Sequence, residues 1–209
     1  MKTLIAIPCL DTVCTEFLSS ILNLQCVGDV GFKITQATLI YEARNLLSQQ
    51  AVREGYDRIM WLDSDMVFHP DVMERLSKDM DEGREFVSGL YFGRKDPIRC
   101  TIFKNVEYRP VEDGEGEVLP IADAYEDYPK DSIFEIGAAG FGCCMVTTRL
   151  VDRVAQKFGL PFSPLIGFGE DLSFCMRAAE LGAKLYCDSR IKLGHVKHTL
   201  VTEDDWLNA

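Results

Sequence analysis

Arg58-Ile59-Met60-Trp61-Leu62-Asp63-Ser64-Asp65-Met66-Val67-Phe68 is the stretch on which the reading of this chain turns. A short, mostly apolar run meets two carboxylates spaced i, i+2, and apolar residues resume at once. Such a run bounded by polar residues predicts a buried strand of a parallel sheet. The side-chain period of a strand is two, so Asp63 and Asp65 are expected to face the same way where it ends. Two carboxylates beside a core repel each other and are costly to desolvate. A divalent cation relieves that cost, which predicts a metal and diphosphate site here. The plain structural alternative is that both residues cap a helix starting near Pro70.

Working outward, Leu4 to Pro8 reads as a first buried strand. Asp11 to Leu24 follows as a helix, with Cys14, Phe17, Leu18 and Ile21 on one face. Gly28 to Ile34 reads as a second strand. Thr38 is placed to cap a helix whose buried stripe is Ile40, Ala43, Leu47 and Ala51, ended by Gly55. Beyond the central stretch, Pro70 suits a first helical position, and Val72, Leu76 and Met80 mark that helix's buried side. Glu85 to Leu90 is strand-like. It runs into Gly89-Leu90-Tyr91-Phe92-Gly93-Arg94, whose aromatics and cation suit the lining of a cleft.

Residues 104–131 change character: acidic, with scattered prolines and the turn chemistry of Asp113-Gly114-Glu115-Gly116. They read as a hairpin-like acidic surface insertion. Regular pattern resumes at Ile133-Phe134-Glu135-Ile136. The run Gly137 to Gly142 allows close backbone approach to a ligand or a neighbouring element. Cys143 to Val146 reads as a strand, Val151 to Phe158 as a helix closed by Gly159, and Glu170 to Leu181 as a helix closed by Gly182. Lys184 to Cys187 is a further strand, followed by His195 in a short polar segment. Strands alternating with helices predict an α/β fold with a mostly parallel central sheet flanked by helices. Ligands bind such sheets off the carboxyl ends of strands, where Asp63 and Asp65 are expected.

The bulk of the chain agrees with one globular domain spanning 1–209. Its 209 residues carry a net charge of −11, which argues against bulk nucleic-acid binding or attachment to anionic membranes. No apolar run approaches the roughly 18 residues of a membrane span. The N-terminus lacks the pattern of an export signal, so a cytoplasmic location is expected. Eight cysteines contain no CxxC pair and sit in apolar surroundings, which predicts reduced thiols used as small core residues.

Three further candidates stand out, each with a plainer reading. Asp171 opens a helix after Gly167-Phe168-Gly169; helix-dipole stabilisation alone explains a carboxylate there, and a general base is the functional reading. His195 would be an ordinary histidine, except that a cation held by one or two carboxylates needs more ligands. His69 and His198 have no obvious partners. Arg44, followed by Asn45, belongs either to a solvated charged face or to a nucleotide or phosphate contact.

Three pieces stand in one order: Trp61-Leu62-Asp63-Ser64-Asp65 after a strand, Gly169-Glu170-Asp171 opening a helix, and His195 after the next strand. With the opening strand ending in Ile7-Pro8, the chain resembles GT-A glycosyltransferases of the small family-2-like, DxD-containing type over roughly residues 3 to 198. The resemblance implies a single GT-A, Rossmann-like domain. It implies a UDP- or GDP-sugar donor, Mn²⁺ or Mg²⁺, and transfer to a hydroxyl of an acceptor it does not name. By the same resemblance Asp65 is the direct metal ligand and His195 the distal one. Asp63 contacts the ribose or a metal-bound water, and Asp171 is the base of an inverting enzyme. The nucleotide pocket would begin at Pro8, with Asp11 as a base contact, although Cys9-Leu10-Asp11-Thr12 is not a diagnostic form of it.

Two rival readings remain. Asp63-Ser64-Asp65-Met66-Val67 also resembles the first motif of haloacid-dehalogenase-like phosphatases, with Asp63 as nucleophile. Some sixty residues of α/β pattern precede it, however, and His195 would have no role. A sugar-phosphate nucleotidyltransferase lacks its Gly-rich basic loop here. The non-enzymatic reading is a sugar-nucleotide binder that does not turn over.

Overall fold

A computed structural model describes residues 1–36, 39–111 and 116–198. In chain order the elements are β1 (Lys2–Cys9), α1 (Thr15–Leu22), β2 (Asp29–Gln36), α2 (Ile40–Arg53), β3 (Arg58–Leu62) and β4 (Met66–Val67). Then come α3 (Val72–Asp81), β5 (Phe86–Leu90), β6 (Ile102–Pro110), β7 (Val118–Ala124), β8 (Ile133–Ile136) and β9 (Ala138–Ala139). The chain continues through β10 (Cys143–Thr147), α4 (Thr148–Phe158), α5 (Glu170–Glu180), β11 (Leu185–Lys192) and β12 (Gly194–His195).

Seven strands form the central sheet in the order β2-β1-β3-β10-β5-β11-β8. β2, β1, β3, β5 and β11 share one direction, while β10 and β8 run against them. The reversal of β10 has a physical cause. Between β5 and β10 the chain passes through a β-excursion instead of a crossover helix, so it re-enters the sheet from the opposite end. No helix among the described residues is long and apolar enough to cross a membrane.

All five residues of β3 are buried, as expected of a strand covered on both faces. Ile59 and Trp61 pack with residues of α2, α4 and α5, whereas Met60 and Leu62 pack with residues of α1 and α3. Each such large apolar side chain contributes about 1.5–3 kcal/mol by leaving water. This two-sided anchoring fixes the point at which the strand ends. It ends at Leu62, so Asp63 and Asp65 lie in the turn that follows and not on the strand itself.

Other boundaries also move. Residue 14 is pinned by its N–H to the Ser64 carbonyl, 3.0 Å away, so α1 starts only at Thr15, and Leu18 turns outward at 45% exposure. The cap of α2 is Leu39, without a side-chain hydrogen bond; Thr38 lies outside the described residues. Pro70 precedes α3, whose cap position is Asp71. The acidic stretch is an antiparallel hairpin, β6 with β7, but it is rooted deeper than residue 104. Ile102 and Phe103 pair with β9, and Ile102 is fully buried. Of the turn at Asp113-Gly114-Glu115-Gly116, only Gly116 is described. All eight cysteines are free, and six of them are buried.

Candidate active site

The DxD turn is held from below by a buried cation. Arg44 projects from α2 onto the aromatic cluster under the sheet, 5.3 Å from the Trp61 ring and 5.4 Å from that of Phe141. It is 2% exposed. Its Nη2 donates to Asp63 Oδ1 at 2.8 Å and its Nε to Glu170 Oε1 at 3.1 Å. One buried guanidinium thus ties the end of β3 to the start of α5. A cation in that position is tolerated because two carboxylates compensate it. Burial works against the charge, yet Asp63, Glu170 and Asp171 hold Arg44 above its ordinary value. Burial also pushes Asp63 up, opposed by Arg44. Neither sequence reading of Arg44 describes this: the side chain is not a solvated face, and its hydrogen bonds run to carboxylates within the protein.

Asp65 is held differently. Its Oδ2 lies 2.7 Å from Arg94 Nη1 and 3.4 Å from His195 Nε2. The histidine arrives through a two-residue ladder in which His195 pairs with Met66 and Gly194 with Val67. The Val196 N–H adds a bond of 2.9 Å to the Asp65 carbonyl. On the other side of the ring, Nδ1 lies 2.9 Å from the Phe92 carbonyl. A carbonyl only accepts, so Nδ1 carries the proton and a neutral ring presents its Nε2 lone pair to the Asp65 carboxylate. Two acceptors then face each other, and a positive charge must stand between them, either a second ring proton or a cation. The bond to Asp65 accordingly raises His195 above its ordinary value, against burial. Burial would raise Asp65, but His195 and Arg94 hold it below.

An imidazole fixed by a backbone carbonyl and facing a carboxylate is the donor pattern of a divalent metal site. Among the described residues no set of three or more such side chains gathers around one point. The structure therefore brings Asp65 and His195 together and leaves Asp63 with Arg44.

Asp171 stands in the first turn of α5, beside the cation that Glu170 occupies. Its Oδ1 accepts the Leu172 N–H at 2.7 Å. Burial, then the neighbouring Glu170 charge, push the carboxyl up to about 6. The loop before it is anchored at several points. Asn45 Oδ1 accepts the Phe162 N–H at 3.0 Å, and Ser173 Oγ accepts that of Leu165 at 2.8 Å.

Pro8 lies within β1 opposite Thr35, and Asp11 is exposed just beyond that strand, with Thr12 Oγ1 donating to it at 3.3 Å. The Gly137 to Gly142 run meets a neighbouring element. A Cβ on Gly140 would stand 2.2 Å from Tyr91 Oη, which accepts the Gly142 N–H at 3.0 Å. Gly142 in turn accepts the Asp63 N–H, also at 3.0 Å, so these glycines support the DxD turn from behind. His69 and His198 do have partners, Asp71 at 2.7 Å and the Cys14 thiol at 3.7 Å. Sequence reasoning missed the pairing of Arg94 with Asp65; its only trace was a cation after two glycines and two aromatics.

No family model matches the chain, and no curated protein matches it in sequence. Solved structures do. The structure of A197 from STIV superposes with a TM-score of 0.64 at 17% identity, over 95% of this chain and 87% of that one. The fold is GT-A. GalNAc-T7, solved with UDP, GalNAc and Mn²⁺, superposes with a TM-score of 0.60 at 11% identity, over 95% of this chain. This chain spans only 44% of that protein.

Proposed function

We infer that this protein is a metal-dependent glycosyltransferase that moves a sugar from a nucleoside-diphosphate sugar to an acceptor hydroxyl with inversion. The observation that carries this is the facing pair of Asp65 and His195, built by the β4–β12 ladder at the carboxyl end of β3. The fold and the UDP and Mn²⁺ bound by GalNAc-T7 support it.

Asp65 and His195 Nε2 would hold Mn²⁺ or Mg²⁺, and donor diphosphate oxygens suit its remaining positions. When bound, the metal supplies positive charge against the leaving diphosphate. Arg94, 46% exposed, would pass from Asp65 to the phosphates as they arrive. Asp63, with one oxygen committed to Arg44, presents the other to the ribose. Pro8 and Asp11 border the nucleotide base. Asp171 accepts the proton of the attacking acceptor hydroxyl. A carboxyl raised to about 6 is a stronger base than an ordinary aspartate and is still ionised at neutral pH. Phosphatase chemistry fits less well, because the nucleophile it needs, Asp63, is bound to a buried arginine.

Asp171→Asn tests the assignment. It should keep donor binding and lose transfer, read as nucleoside diphosphate released with acceptor present. A protein whose release is unchanged by this substitution, or that releases none as wild type, is not this transferase.

A further inference from the structure

The hairpin β6–β7 has two unlike faces. Strand alternation puts Glu107, Arg109 and Asp123 on one of them beside Leu119 and Ile121, and there Arg109 pairs with both acids. On the other, Tyr108 stands opposite Pro120 and Pro110 opposite Val118. This second face turns onto the loop that leads into Asp171. Tyr108 Oη donates to the Ile166 carbonyl at 2.7 Å, and its ring meets Phe168 edge-on at 5.2 Å. Gly167 has φ of +81°, and a Cβ there would lie 2.4 Å from Pro120 Cγ, so only glycine lets hairpin and loop close together. At the other end of the same loop, a Cβ on Gly169 would lie 2.9 Å from Asp171 Oδ1. A continuous path of contacts therefore joins the hairpin to the carboxyl assigned as base.

Along this path apolar surface is left open. Ile166 is 89% exposed and Val118 52% exposed, and Pro110 and Pro120 are exposed as well. Tyr108, Pro110, Val118, Pro120 and Ile166 carry no charge among them, and the buried Phe168 supports Tyr108 from below. A contiguous apolar shelf marks a binding surface more than a stray exposed residue does. Its place beside Asp171 says which substrate it meets. It borders the loop that leads into Asp171, whereas the residues assigned to the metal and diphosphate, Asp65 and His195, meet at the β4–β12 ladder.

Resting on the transferase reading above, we propose that this shelf is the acceptor subsite and takes an acceptor whose hydroxyl is carried beside an uncharged alkyl or aryl group. The shelf has no cation to meet a phosphate or carboxylate, and the chain's charge of −11 opposes an anionic lipid surface.

The test uses the full chain with methyl-labelled isoleucine and valine, titrated with octyl β-glucoside and, separately, methyl β-glucoside in the presence of UDP and Mn²⁺. The octyl compound should shift the Ile166 and Val118 methyl signals, and methyl glucoside should not. Ile166→Asp should weaken octyl glucoside binding at least tenfold and leave UDP affinity unchanged. Equal responses to both glucosides, no response at these methyls, or an equal shift at the remote exposed Ile34 would overturn the subsite. Failure of both UDP and GDP to bind the wild type would instead overturn the donor-site reading.

Discussion

Asp63 and Asp65 are two residues apart, yet the protein holds them in opposite ways. Asp63 is tied to an arginine that is 2% exposed and shared with Glu170; Asp65 meets an arginine that is 46% exposed and a histidine from a two-residue ladder. The first arrangement is part of the core and sets the positions of β3 and α5. The second is more open to solvent, and the transferase reading makes it the exchangeable one. The contrast teaches that two carboxylates of one turn can serve differently: one is fixed by a buried arginine, and the other keeps a partly exposed partner.

Substitutions at the two halves should separate along these lines. Arg44→Met leaves two carboxylates without their buried cation and should cost about 3–5 kcal/mol of unfolding free energy, read by denaturant titration. A cost below about 1 kcal/mol would place Arg44 on a solvated face after all. Transfer by Asp171→Asn should fall by roughly 10²–10⁴-fold, the usual worth of a positioned base. In the wild type, kcat/KM should fall about tenfold per pH unit below about 6, since the active carboxylate is the deprotonated form. A flat profile down to pH 5 would remove Asp171 from the role of base.

How far the sequence reveals these halves depends on how local each pattern is. The strand at Ile59 to Leu62 and the helices closed by Gly159 and Gly182 are written in contiguous residues, and they stand where periodicity puts them. The direction of β10 is not local, because it depends on the path of the preceding forty residues. Nor is the β4–β12 ladder, since two residues carry no period. His195 was nominated from chemistry and resemblance, while its pairing with Met66 gives the geometry. Arg44 was ambiguous because Arg44-Asn45 after Glu42 resembles a charged face. Its burial is decided by Trp61, Phe141 and Glu170, distant in sequence.

A second carboxylate pair offers a smaller contrast. Asp79 and Asp188, both buried, lie together beside the single guanidinium of Arg190, which meets both. Burial, then the bond to Asp188, raise Asp79 to about 6, whereas Arg190 helps to hold Asp188 below its ordinary value. The raised group contributes stability fully below the unfolded aspartate value, and this is lost as pH rises through about 6. Asp79→Asn should therefore stabilise the protein at pH 7 by about 1–2 kcal/mol and flatten the pH dependence below it. Smallest of all, Arg94→Ala should tighten metal binding by no more than about fivefold, because a partly exposed ion pair is worth under about 1 kcal/mol.

The central claim is that Asp65 carries the metal-dependent hold on the donor, whereas Asp63 is anchored to the scaffold through Arg44 and has one oxygen left for the ribose. Calorimetric titration of UDP and GDP, with Mn²⁺ and then with EDTA, on wild type and Asp65→Ala tests it directly. Binding of one nucleotide that needs Mn²⁺ and disappears in Asp65→Ala, with unfolding stability changed by less than about 1 kcal/mol, is the expected result. Nucleotide binding that persists in Asp65→Ala, or that neither nucleotide shows in the wild type, would contradict the account.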